Sequence, residues 1–183
     1  MELTATGGEI YAHVHENPRT GLTRNLFWNL QIACKPVRWE GEDWDCSLAI
    51  EWLTWPVTRW GELAGKRLAT VSQPELVESS LYLVGSHHRL TLRSLELQAG
   101  NAGGFVCEVA GNAALELDET ERLLDVAIRC ALTFTGIFVV AENLTPKPQT
   151  PQAAALSVSP FVSLEGLRPP RSEGWRFVLE PEV

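Results

Sequence analysis

Apolar and polar residues alternate with a period of two along most of this chain. Over 26–34, Leu26, Trp28, Leu30, Ile32 and Cys34 share one side, and Asn29 and Gln31 take the other. Over 44–52, Trp44, Cys46, Leu48, Ile50 and Trp52 oppose Asp45, Ser47 and Glu51. Successive side chains of a strand point to opposite faces, so this pattern predicts strands with one buried face. Further strands are expected at 9–15, 79–84, 89–97, 105–109, 155–164 and 174–180. Around Ser94 the apolar parity passes from Leu90 and Leu92 to Leu95 and Leu97, which predicts a bulge.

One segment carries two signals. In "DETERLLDVAIRCALTF", Asp118 and Glu121 have the spacing of a helix cap. Yet Leu124, Val126, Ile128, Cys130, Leu132 and Phe134 alternate without a break, and β-rich "FTGIFVV" follows. The alternation outweighs the cap, and a long strand is expected. "SQPELVE" (72–78) differs: Ser72 and Glu75 form a capping box with Pro74 in the first turn, which predicts a short helix. "ENPRTG" (16–21), "EGED" (40–43), "AGNAGG" (99–104) and "GN" (111–112) read as turns. The expected fold is all-β: an antiparallel β-sandwich or strongly curved sheet of about nine to eleven strands, with at most one or two short helices. Residues 1–183 form a single β-rich domain in this reading, with a proline-rich extended connector at about 145–151 leading to a C-terminal strand pair.

The seven tryptophans divide by strand parity. Trp28, Trp44 and Trp52 fall with Leu, Ile and Cys neighbours, and Trp175 falls with Phe177 and Leu179, so all four are expected in the core. Trp39, Trp55 and Trp60 are left in loops or at strand ends. Rings there seal the end of a sheet, anchor a protein interface or stack on sugars, in falling order of expectation.

Composition narrows the function. The net charge of −8 offers no basic stripe to meet phosphates, so nucleic acid is disfavoured. The start "MELTATGGEIYAHVHE" has no charged-then-apolar leader, and no run approaches a membrane span. A cytoplasmic chain is expected, with no membrane partner. Cys34, Cys46, Cys107 and Cys130 are widely spaced, without a C-x-x-C pair, and read as free core thiols.

Candidate chemistry is sparse. His13 and His15 in "AHVH" share one side of a strand, a spacing that can chelate a metal, with His88 of "SHH" as a third ligand. Ile10, Ala12 and Val14 claim the inward side, however, which turns His13 and His15 outward. There is no G-x-S-x-G, S-x-x-K or H-E-x-x-H, and the glycines at 100–104 are followed by no lysine and no helix. Asp43 with Asp45, and Asp118, Glu119 and Glu121, read as solvated turns rather than catalytic carboxylates. The reading that follows is a non-enzymatic cytosolic protein-binding module without cofactor. A bacterial immunity or inhibitor protein that neutralises a basic toxin or enzyme is its sharpest form, and self-association stays open. Its expected contact surface is Trp39, Glu40, Glu42, Asp43, Trp55, Arg59, Trp60 and Glu62. The alternatives are a metal-dependent, cupin-like enzyme using His13, His15 and His88, and a carbohydrate-binding β-sandwich module using Trp39, Trp55 and Trp60.

Overall fold

The computed structural model describes residues 2–69, 77–117 and 120–182. The long alternating segments become long strands: β1 (Ala5–Asn17), β2 (Leu22–Trp39), β3 (Glu42–Leu53), β4 (Arg67–Ala69), β5 (Glu78–Leu83), β6 (Ser86–Ala99), β7 (Phe105–Leu117), β8 (Thr120–Val140), β9 (Arg171–Glu173) and β10 (Arg176–Leu179). The all-β class therefore holds. The sandwich does not. β1, β2, β3, β5, β6, β7 and β8 pair in that order, and β1 then pairs in parallel with β8, so that these strands close into a barrel. A sandwich and a barrel ask for the same alternation, since each buries one face of every strand. Closure depends on a contact between distant residues, Gly8–Val14 against Leu132–Val139.

The lumen is packed with side chains. Ile10, Val14, Trp28, Leu30, Leu48, Ile50, Leu81, Leu95, Val126 and Ile137 are buried there, while the intervening positions face outwards. Trp28 is fully enclosed and donates its indole N–H to the Trp55 carbonyl at 3.1 Å. The ladder between β6 and β7 slips between Leu92 and Ser94, at the expected bulge. Opposite it, Gly111 and Asn112 continue β7 rather than forming the expected turn. A Cβ at Gly111 would lie 2.6 Å from the Thr91 carbonyl oxygen, so this glycine serves close strand approach.

β8 is a single strand through the ambiguous segment and serves two parts of the sheet. Its first half pairs with β7 and its last residues with β10. The change of neighbour falls at Gly136, whose φ is +126° and where a Cβ would lie 2.5 Å from the Leu179 carbonyl oxygen.

Other expectations fail for local reasons. Residues 155–164 are not a strand: α1 (Pro151–Val158) occupies the first part. Thr150 caps it by accepting from the Ala153 N–H at 3.1 Å, Pro151 sits in its first turn, and alanines follow. The proline-rich stretch thus runs into a helix before the β9–β10 pair. The helix expected over 72–78 lies outside the described residues except for Val77 and Glu78, and Glu78 opens β5. Asp118 and Glu119 also lie outside them.

Trp28→Ala should destabilise the chain by about 3–5 kcal/mol, because the barrel interior cannot collapse around the void. Urea unfolding followed by far-ultraviolet circular dichroism measures this, and a loss below about 1 kcal/mol would contradict a packed lumen.

Candidate functional site

The sequence-derived contact surface is not one surface. Trp39, Glu40, Glu42 and Asp43 lie at the β2–β3 hairpin, whereas Trp55, Arg59, Trp60 and Glu62 follow the far end of β3. The strand between them has 12 residues, and a strand of that length spans roughly 35 Å. The residues also have local employment. Trp60 stacks on Phe134 at 4.7 Å and closes one barrel end, and Trp55 and Trp39 pack half-buried against the core. The Arg122 guanidinium lies 5.4 Å from the Trp39 ring centre. Glu62 accepts from the Thr58 N–H, Arg59 pairs with Glu165, and Asp43 pairs with Arg38, while Glu40 and Glu42 are exposed at the hairpin tip.

The three histidines do not converge either. His88 is buried on β6, with one ring nitrogen on the Leu83 carbonyl at 3.1 Å and the other facing the Glu116 N–H at 3.4 Å. His13 and His15 lie on the outer side of β1, with ring centres 6.1 Å apart. Among the described residues no group of three or more His, Cys, Asp or Glu is arranged to hold a metal ion.

What the fold does assemble is an aromatic band on the outer wall. Trp52 was expected in the core. Its φ of +64°, at a slip in the β2–β3 register between Trp28 and Leu30, turns it outwards and gives the inward place to Leu53. A bulky residue in this region stores about 1–3 kcal/mol of strain, and it persists only where its surroundings hold it. Asn29 does the holding. It is 1% exposed, and its side-chain oxygen accepts the Trp52 N–H at 3.2 Å. Its amide nitrogen donates to the Phe27 carbonyl at 3.2 Å and reaches His13 Nδ1 at 2.8 Å. Trp52 then meets His13, His15 and Phe27 edge-on, at 5.0, 5.3 and 5.1 Å between ring centres.

The Asn29 orientation fixes the chemistry of His13. With the amide donating, Nδ1 must accept, so the proton sits on Nε2. Burial lowers the His13 pKa to about 4, with the nearby charge of His15 adding to the effect. His15 is lowered too, by burial, against the attraction of Glu16. His13 is thus a neutral N–H donor on the barrel wall.

From His13 the band continues across β1 and β8 to the C-terminal hairpin. Tyr11 lies 5.3 Å from Phe138, and the Arg176 guanidinium sits 4.1 Å over the Phe138 ring. Burial, followed by the Glu51 charge, raises the Tyr11 pKa and keeps its phenol protonated. A groove of about 580 Å³ runs here, its walls including Glu9, Gln31, Thr135, Arg171, Glu173 and Glu180. At its rim stands Trp175, 71% exposed. Parity placed this ring in the core. Gly174, with φ +59°, makes a tight β9–β10 turn, so the ladder begins only at Arg176 and Trp175 stays at the tip. Arg171 bridges Glu173 and Glu180 at 2.9 and 2.7 Å, and Arg176 pairs with Glu173 at 2.8 Å, which ties the hairpin down.

Sequence reasoning missed most of this band. One usable signal was present: Phe27 and Phe138 are apolar at positions where alternation calls for polar residues, as expected where a strand is covered on both faces. The fold and site together define a class: a closed, apolar-cored β-barrel with an aromatic groove on its outer wall. Comparison with known families, curated proteins and solved structures finds no match to this chain. No helix among the described residues is long and apolar enough to cross a membrane.

The lowered His13 pKa predicts a pH effect of definite sign. Unfolded His13 takes up a proton near its ordinary 6.5 and the folded form only near 4. The unfolded chain therefore binds more protons between these values, and this contribution to stability is complete above pH 6.5 and is lost as pH falls towards 4. The loss should reach up to about 3 kcal/mol. Urea titrations across this range should show it, with a much flatter dependence in His13→Gln. Histidine nuclear magnetic resonance titration of the folded chain should find no His13 midpoint above pH 5.5.

Proposed function

We propose that the chain is a non-enzymatic protein-binding module whose contact surface is the outer-wall band, with Trp175 as its anchor. The observation that carries this reading is the exposure of Trp175 on a hairpin held by ion pairs. Large rings are seldom left in water, and Trp, Tyr and Arg are the side chains enriched where protein interfaces gain most of their energy. Tyr11, Phe138, Arg176 and Trp175 supply that set on one surface. Glu9, Glu173 and Glu180 give it an acidic border, and with the net charge of −8 this favours a basic partner. A toxin neutralised by a bacterial immunity protein is one partner of that kind.

A second reading has its own support. Donors from Arg171, Arg176, Gln31 and His13 alternate with the carboxylates of Glu9, Glu173 and Glu180 around aromatic faces. That mixture also suits a saccharide, whose hydroxyls both donate and accept and whose C–H faces stack on rings.

A photoreactive phenylalanine placed at position 175 should cross-link one discrete protein in the native cell, and the same residue at Thr91 on the opposite wall should not. With that protein in hand, Trp175→Ala should weaken binding by about 2 kcal/mol or more, mainly through faster dissociation. Equal adducts at both positions, or none, together with quenching of Trp175 fluorescence by cellobiose or diacetylchitobiose, would replace the protein reading with the saccharide one.

A further inference from the structure

We propose that Cys34 and Cys46 form an oxidisable dithiol that closes to a cross-strand disulfide when a small peroxide is the oxidant. All four cysteines are free and buried. Cys34 and Cys46 stand directly opposite one another in the β2–β3 ladder, and both side chains belong to the barrel interior. Directly opposed residues of antiparallel strands have Cα atoms about 4.5–5.5 Å apart, within the roughly 4.4–6.8 Å that a disulfide bridges without moving the backbone. The ladder slips between Cys34 and Val37, so the chain beside the pair is free of strict register.

The two thiols already interact. The neighbouring Cys46 thiol, ahead of burial, pushes the Cys34 thiol up. Cys34 in turn draws the Cys46 thiol down against the cost of burial. Cys46 is therefore the first to ionise, and the thiolate is the form that attacks.

A second opposed pair, Cys107 and Cys130 of β7 and β8, serves as the internal comparison. Burial is the leading cause raising both of those thiols, and Cys107 is entirely enclosed. Register alone would allow either pair to close; the slip beside Cys34 and the complete enclosure of Cys107 select Cys34 and Cys46.

The chemistry balances with peroxide alone. The Cys46 sulfur attacks one peroxide oxygen, the O–O bond breaks, and the departing hydroxide leaves as water with the proton Cys46 gave up. Cys46 is now a sulfenic acid. The Cys34 sulfur then attacks the Cys46 sulfur, the S–O bond breaks, and the Cys34 proton leaves with that hydroxyl as a second water. Two thiols are oxidised by two electrons, and one peroxide is reduced.

The folded full-length chain is treated with hydrogen peroxide, alkylated in denaturant and digested with trypsin. The four cysteines fall on four different tryptic peptides, with Cys34 on 25–38 and Cys46 on 39–59. These two should appear joined, lighter by two hydrogen atoms than their sum, in about tenfold excess over any Cys107–Cys130 link. In Cys34→Ala, dimedone should trap a sulfenic acid on Cys46 that it does not trap in the unaltered chain. The peptide map of the unaltered chain stands alone if that variant does not fold. The proposal is overturned if Cys34 and Cys46 remain alkylated, if the second pair links as readily, or if the link forms only after the chain is first unfolded.

Discussion

Everything in this molecule depends on the parallel seam between β1 and β8. All other neighbours in the barrel circuit are antiparallel and meet in chain order, and apart from β3 and β5, which β4 separates in sequence, they are joined by short turns. The seam joins the first strand to the last strand of the circuit, across a separation of more than 100 residues. Before it forms, β1 and β8 each present an unpaired row of backbone donors and acceptors; afterwards these two edges are gone. Loop-closure entropy makes such a long-range contact costlier to form than the hairpins beside it.

The seam also sets where chemistry can appear. It places Tyr11 and His13 of β1 beside Phe138 of β8, and β10 then extends the same wall from the other side of β8. Gly136 lets one strand serve both arrangements, because the Leu179 carbonyl occupies the space a Cβ would need. The groove is thus a product of closure, built from strands that are remote in sequence.

Asn29 links the inside of the barrel to its outside. One buried amide satisfies the N–H of a strained Trp52, holds the neutral form of His13 and bonds its own strand at Phe27. A half-satisfied buried polar group is costly, so the arrangement is close to all-or-none. Its effect is to move an indole from the lumen to the wall, where it packs with two imidazoles and a phenyl ring. The outer wall therefore carries a small second core, with the more exposed groove beside it.

Read residue by residue, the sequence alone determined the all-β class, most strand positions, the inward set from Ile10 to Phe134, the bulge near Ser94 and the burial of the four cysteines. Each follows from period-two alternation, which records only whether a neighbour on one face is apolar. That signal cannot say what lies against the other face or which edges meet, so it could not separate a sandwich from a barrel. It failed for Trp52 and Trp175 because a single residue in the left-handed region, Trp52 itself or Gly174, ends the alternation without any change in hydrophobicity. It failed over 155–164 because a Thr-Pro start and a run of alanines favour a helix there. It grouped Trp39 with Trp60 because they are near in sequence, although a full strand separates them in space. Only the tertiary structure decided the site, since its residues come from five strands and a hairpin tip whose meeting depends on the closure of the barrel.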